Sequence, residues 1–214
     1  MNDTEKETNN FDNAILTTVA DNVAKLAKTV EGISRMETAD TTAQKLFMNR
    51  NWQLPGNVIE KLNKGELQLC PHSFYSIKKV DGEISSGNIF DTQYIEAGYT
   101  NVPNGRMFAE DCFLLTEIRL RVFRADYNGF RLIGNIDEYY PAALGEFRFA
   151  QESTSYFNNC PLSLFDKGRL VMSPPKMFYP QRTFNLELTF PRTMPMPQNT
   201  YIRAELNGIR TKKG

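Results

Sequence analysis

The sequence holds little of what most catalytic and metal-binding sites require. It has one histidine, His72, and three cysteines, Cys70, Cys112 and Cys160, which are far apart and form no CxxC pair. A histidine-based metal cluster needs several histidines, and zinc sites or disulfide frameworks depend on paired cysteines. We therefore expect three reduced thiols, no metal and no cofactor, in a protein made in a reducing cytoplasm.

Long apolar runs and an excess of one charge are also missing. No apolar run approaches the roughly 20 residues that a membrane-spanning helix needs, and the first ten residues lack the order of a secretory signal. Lys plus Arg equals Asp plus Glu, at 25 each. Binding to nucleic acid through charge needs a basic excess, so we expect no sequence-specific nucleic-acid binding. The lack of a long apolar run likewise leads us to expect no membrane span.

Catalytic motifs are absent as well. The chain contains no G-x-S-x-G, H-E-x-x-H, P-loop or G-x-G-x-x-G sequence that opens a helix. Two weaker arrangements stay open as enzyme hypotheses, namely Cys70 with His72, and the adjacent acids Asp137 and Glu138. Adjacent acids are typical of turns and strand ends, so we expect the protein not to be an enzyme.

The N-terminal part has the periodicity of a helix. From residue 12 onward, apolar side chains recur at alternating steps of three and four, which is heptad spacing. The predicted seam consists of Leu16, Val19, Val23, Leu26, Val30 and Ile33. A helix this short needs a partner in water, which is either the chain's own body or the same helix of neighbouring subunits in a coiled coil. We predict a helical arm over residues 1–65, of which 1–10 are disordered.

Residues 66–214 change character, since aromatic and β-branched residues, glycines and prolines take over. Such composition predicts short strands joined by turns. The predicted strands are 73–80, 89–94, 113–123, 130–136, 145–150, 168–172, 184–190 and 200–206. About eight strands at this spacing favour an antiparallel β-sandwich of the jelly-roll kind. A mainly β fold with an N-terminal helical arm is therefore the predicted fold class.

The last two predicted strands show the clearest alternation. In the first, Phe184, Leu186, Leu188 and Phe190 share one face. In the second, Ile202, Ala204 and Leu206 do the same. Because successive side chains of a strand point to opposite sides, each strand should have one buried face and one wetted face. The simplest arrangement makes the two strands antiparallel neighbours.

Two surfaces are candidates for contacts with other molecules. Proline-rich connectors on either side of 184–190 carry Met177, Phe178, Tyr179, Met194 and Met196. They either fold back on the body or form an exposed patch for another subunit. The longest predicted strand places Arg119 and Arg121 opposite its apolar face, near Arg124, Arg131 and Arg148. These arginines predict either a solvated face paired with Glu117 and Glu146 or a basic contact strip.

The segments "FPRTMPMPQNTYIRAELNGI" and "RMFAEDCFLLTEIRLRV" resemble the β-sandwich virion proteins of bacteriophages. In those proteins a "PR…P.NT" connector leads into a final alternating strand. The resemblance covers the last half of the chain and implies a jelly-roll capsid or capsid-associated protein. It further implies assembly through strand edges and loops, an N-terminal arm that reaches a neighbour, and no catalytic residues.

The predicted function is therefore that of a structural virion protein. Its partners would be copies of itself and other virion proteins, and its location the virion. The alternative is a β-sandwich binding module that serves as a fibre, receptor-binding or carbohydrate-binding domain. In that interpretation, Tyr139 and Tyr140 with the acids beside them would contact a glycan.

Overall fold

The structure is a computed structural model. It describes residues 54–81, 86–109, 111–127, 129–193 and 195–213. The six residues of the predicted helix seam and Met194 lie outside these ranges. Most of the predicted arm, 1–65, lies outside them as well.

A short helix, α1 (Gly56–Asn63), precedes the sheets. Pro55 caps it, because the Pro55 carbonyl accepts from the amides of Val58 and Ile59 at 2.9 and 3.2 Å. Val58 is the buried residue of this helix. Gly65, at a φ of 74°, lets the chain reverse into the first strand. Within the predicted helical arm, 1–65, the structure thus shows a helix over Gly56–Asn63.

Nine strands follow in the described residues. They are β1 (Leu67–Lys79), β2 (Ser86–Asn88), β3 (Phe113–Asp126), β4 (Gly129–Asn135), β5 (Glu146–Gln151), β6 (Thr154–Pro161), β7 (Arg169–Phe178), β8 (Phe184–Thr189) and β9 (Thr200–Lys213). All of their pairings are antiparallel. The prediction of a mainly β protein is confirmed.

The strands form two sheets. The five-stranded sheet has the order β1-β9-β3-β4, with β7 pairing with β3 as well, and the four-stranded sheet has the order β2-β8-β5-β6. The predicted pairing of the last two strands is wrong, because β8 lies between β2 and β5 while β9 lies between β1 and β3. The connector between β8 and β9 therefore passes from one sheet to the other.

Both sheets contribute side chains to one hydrophobic core. Aromatic rings make contacts between the two sheets. The ring centres of Phe74 in β1 and Phe184 in β8 lie 6.3 Å apart, and those of Phe178 in β7 and Phe149 in β5 lie 5.8 Å apart. The predicted inward faces of β8 and β9 belong to this core. The two sheets therefore pack face to face, as in a β-sandwich.

A bulge in β3 changes which of its side chains face the core. The register of β3 shifts between Leu115 and Glu117 against both β7 and β9. Leu115 joins the core cluster together with Ile118 and Leu120, whereas Thr116 is half-exposed. Simple alternation along this predicted strand would put Leu114 and Thr116 on the same face as Ile118. That expectation is wrong at the beginning of the strand, because the bulge reverses the alternation there.

Three strand predictions need correction. Residues 89–94 form turns after the short β2, although Ile89 and Phe90 are buried. β7 continues through the Ser-Pro-Pro sequence at 173–175 to Phe178, well past the predicted strand end at residue 172. β6 was not predicted, since its residues are largely exposed and show no apolar alternation.

The proline-rich connectors fold back on the body. Met177, Phe178 and Met196 are buried, which corrects the expectation of an exposed patch for these three side chains. Tyr179 is half-buried. Of the two interpretations of the connectors, packing against the chain itself describes these residues, because Phe178 and Met196 belong to the hydrophobic core and Met177 is buried beside it.

Candidate functional site

The outward side of the five-stranded sheet carries a cluster of charged side chains. Strand alternation puts it opposite the core side chains of β3 and β9. We call this surface the charged face. Its members are Glu117, Arg119, Arg121, Arg169, Arg203, Glu205 and Asn207. They come from three adjacent strands, so hydrogen bonding between the strands fixes their spacing.

Glu117 is the centre of one half of the charged face. It is only 9% exposed, and its carboxylate accepts from the guanidinium of Arg169, with the Nε donor at 2.7 Å. Asn207 Nδ2 donates to the other carboxylate oxygen at 3.0 Å, and Arg119 Nη2 lies 3.3 Å from it. Burial of this carboxylate is possible because several donors compensate it. The Glu117 pair also raises the pKa of Arg169.

Glu205 organises the other half. It is 7% exposed, and Arg121 Nη2 donates to it at 2.5 Å. Arg203 Nε lies 2.7 Å from the same oxygen, close enough for an ion pair but without hydrogen-bond alignment. The Arg203 guanidinium also stacks on Tyr75, 4.6 Å from the ring centre. Four guanidiniums thus meet two carboxylates, which leaves a local excess of positive charge.

Apolar and aromatic side chains flank the charged face. Val171 pairs with Glu117 across the strands and is 66% exposed. At the other end, Phe130 packs edge-on against Tyr201 at 4.9 Å and against Tyr99 at 5.4 Å. Arginine and tyrosine beside exposed apolar residues is the composition that protein interfaces favour.

The predicted basic strip is assembled in part. The sheet brings Arg119 and Arg121 together with Arg169 and Arg203, which sequence reasoning did not place there. Arg148 lies in β5 of the other sheet, where it is 3.9 Å from Glu187. The predicted pairing with Glu117 holds for Arg119. No local sequence signal connects Arg169 with Glu117, since 52 residues separate them.

Cys70 and His72 lie on β1 beside Arg210 and Asp111. The Cys70 thiol donates to the carbonyl of Arg210 at 3.6 Å, and burial raises the pKa of this thiol. Arg210 Nη1 lies 3.4 Å from His72 Nε2, and Arg210 Nε donates to Asp111 at 2.9 Å. Phe108 covers the Arg210 guanidinium at 4.8 Å. Cys70 is therefore a protonated thiol that is hydrogen-bonded to the backbone.

The stability of this corner should depend on pH through His72. Burial lowers its pKa to about 4; Arg210 and Lys212 act in the same direction, and Asp111 opposes them. A free histidine titrates at about pH 6.5. Between this pH and the lower pKa of the folded state, His72 binds a proton in the unfolded chain but not in the folded chain. The free energy of unfolding must therefore fall as the pH falls through this window.

We expect a loss of about 1 kcal/mol between about pH 7 and pH 5, after allowance for solvent screening of a half-buried ring. Urea unfolding at both pH values measures it. His72→Gln cannot titrate, so its stability should decline less than that of the wild type by this amount. If the free energy of unfolding falls equally in both proteins, His72 is not the source of the pH dependence.

The acids Asp137 and Glu138 have local structural contacts. Asp137 accepts from the amides of Lys167 and Gly168 at 2.9 and 2.6 Å, which holds the turn before β7. Glu138 accepts from Asn135 Nδ2 at 2.7 Å. Of the adjacent tyrosines, Tyr139 packs against the core, and Tyr140 is exposed.

The described residues offer neither a metal site nor a membrane-spanning helix. In the described part of the chain, no three His, Cys, Asp or Glu side chains converge to hold a metal ion. Nor does any helix there have the length and apolar character that crossing a bilayer requires. No family model matches this chain, and no curated protein matches it in sequence.

Proposed function

We propose that this protein is a structural subunit of a bacteriophage virion, a capsid or capsid-associated building block that associates with copies of itself and with other virion proteins. The observation that carries the proposal is the charged face, where half-buried arginines are already oriented and apolar side chains lie beside them. Such preorganisation lowers the entropic cost of forming an interface. Arg119 and Arg121, predicted as contact residues, belong to this face.

The strand order supports a jelly-roll architecture for the subunit. If β4 is treated as an added hairpin strand, the other eight strands divide into β1-β9-β3-β7 and β2-β8-β5-β6. The chain then crosses repeatedly between two four-stranded sheets, which is typical of a jelly roll. Virus capsid proteins and lectins both use this architecture. The fold is thus compatible with the proposal, and the function depends on the surface.

Charge constrains the kind of contact. Because the charged face carries more guanidiniums than carboxylates, two copies of it brought together would repel each other. The proposed contact is therefore heterologous: the charged face of one copy meets an acidic surface of the next. Contacts of this type generate rings and shells when the rotation closes.

The N-terminal arm supplies a second proposed contact. Residues 1–24 carry five acidic side chains and one lysine, so this stretch has the charge that complements the charged face. The predicted seam from Leu16 to Ile33 offers apolar area for a coiled coil with neighbouring arms. In the proposal, the arm of one subunit reaches the next.

The substitution Val171→Glu tests the proposed interface. It places a carboxylate at an exposed position beside Glu117, so it should leave folding intact and weaken association. We expect self-association to weaken by roughly tenfold or more, as for a central interface residue. Sedimentation velocity over a range of concentrations measures this effect.

The matched control is Leu144→Glu, which is similarly exposed but lies in the turn before β5. It should leave association unchanged. If Val171→Glu also associates like the wild type, or if both variants lose association equally, the charged face is not the interface. Unchanged circular dichroism would show that the substituted proteins remain folded.

The second candidate function is a β-sandwich binding module for a receptor or carbohydrate. Tyr139, one of the two tyrosines first considered for it, packs against the core and offers little free surface. A different feature favours this candidate, namely a polar cleft between the edge strands of the two sheets. This cleft is independent of the charged face.

A further inference from the structure

A cavity of about 410 Å³ opens between β6 and β7, which are edge strands of the two different sheets. It is lined by Gln151, Thr154, Tyr156, Pro174, Pro175, Lys176, Met177, Tyr179 and Arg182. The volume lies within the range of small-molecule sites, and the mixture of aromatic and polar side chains is typical of them. We call this feature the edge cleft.

The path of β7 creates the edge cleft. Val171 pairs with Glu117 of β3 and Lys176 pairs with Leu115, so the four residues between them lie opposite a single residue of β3. Pro174 and Pro175 in this bulge have no amide hydrogens to pair with another strand. The strand therefore leaves the sheet here, and the space it opens reaches the edge strand β6.

Gln151 is a polar group that the chain itself does not satisfy. It is 5% exposed, its amide oxygen accepts from the Tyr156 hydroxyl at 3.1 Å, and its amide nitrogen has no acceptor in the described residues. Burial raises the pKa of Tyr156, so its hydroxyl keeps its proton. An unsatisfied buried amide is costly and uncommon, so the amide nitrogen of Gln151 is a candidate donor to a molecule in the cleft.

The charge of the edge cleft selects an anionic group. The Lys176 ammonium lies 5.6 Å from the centre of the Tyr156 ring and has no carboxylate partner among the described residues. Arg182 donates to Glu152 at 2.6 Å through one nitrogen and keeps other donors free. Lys176 is therefore the cation best placed to bind a carboxylate.

We propose that the edge cleft binds an acidic saccharide, a sugar ring that carries a carboxylate. Lys176 binds the carboxylate, and Gln151 and Thr154 hydrogen-bond ring hydroxyls. Tyr179 and Met177 contact the apolar C–H face of the ring. The inference does not depend on self-association, since none of these residues belongs to the charged face.

The experiment compares D-glucuronate with D-glucose, which share a ring and differ in the carboxylate. Saturation-transfer difference NMR on the full chain observes the sugar, so it works whether or not the protein assembles. For a ligand of this size we expect a dissociation constant on the order of 1 mM for glucuronate. Glucose should bind roughly tenfold more weakly, because it lacks the charge-assisted contact with Lys176.

Variants separate the edge cleft from general attraction by basic surfaces. Lys176→Gln should weaken glucuronate binding by roughly tenfold. Lys212→Gln, which removes an exposed lysine from the far end of β9, should not change it. Three results would each overturn the proposal. Glucose and glucuronate could bind with equal affinity, or the Lys176→Gln variant could bind glucuronate as tightly as the wild type. The third is the absence of saturation transfer at about 20 mM glucuronate. Thermal melting confirms that both variants are folded.

Discussion

Gly208→Ala is expected to destabilise the protein severely. Gly208 lies in β9 between His72 of β1 and Leu115 of β3. A Cβ atom there would lie 2.0 Å from the carbonyl oxygen of Leu114 in the neighbouring strand β3. A backbone oxygen in a central strand cannot move aside cheaply, so we expect a loss of about 3–5 kcal/mol in the free energy of unfolding. Urea unfolding followed by circular dichroism measures it.

Gly134→Ala provides the matched control for this prediction. Gly134 also lies in a strand of the five-stranded sheet, but a Cβ there would come no closer than 3.8 Å to its neighbours. Its effect should stay within about 1 kcal/mol. Equal stabilities of the two variants would show that the Leu114 carbonyl leaves room for a side chain at position 208.

Glu117→Gln is expected to have the second-largest effect. The substitution keeps the size of the side chain and removes the charge that compensates the guanidiniums of Arg119 and Arg169. Because the carboxylate is buried beneath them, we expect the free energy of unfolding to fall by about 2–3 kcal/mol. Chemical denaturation at neutral pH measures the change.

Glu187→Gln is the control for the ion pair. Glu187 lies 3.9 Å from Arg148, and the two side chains are 46% and 51% exposed. Exposed pairs of this kind contribute less than about 1 kcal/mol, so this variant should resemble the wild type. If Glu117→Gln is equally mild, the charged face is an ordinary solvated surface without a fixed network.

The faces of strands could be predicted from the sequence, but their neighbours could not. The alternation of apolar and polar residues in β8 and β9 correctly predicted the buried side of each strand, because every second side chain of a strand points to the same face. Pairing depends on where the connector runs, and its prolines carry no signal that it crosses to the other sheet. The bulge in β3 was equally hidden, since one inserted residue leaves the composition of the strand unchanged.

The candidate sites were predictable only where their residues share one strand. Arg119 and Arg121 were found because both lie opposite the apolar side of β3. Their carboxylate partner Glu205 lies 84 residues from Arg121, so only the register of β9 brings it there. Of the residues that line the edge cleft, only Met177 and Tyr179 were named from the sequence. The cleft itself was not predicted, because β6 is exposed and its side chains meet β7 only through tertiary packing.

The most direct test of the proposed function is the native mass of the intact chain. We expect sedimentation velocity to show species larger than the 24.5 kDa monomer, whose proportion rises with concentration. Electron micrographs of the same sample should then show rings or shells of regular size. A monomer at every concentration, with no regular particles in the micrographs, would contradict the proposal that this protein is a self-associating structural subunit.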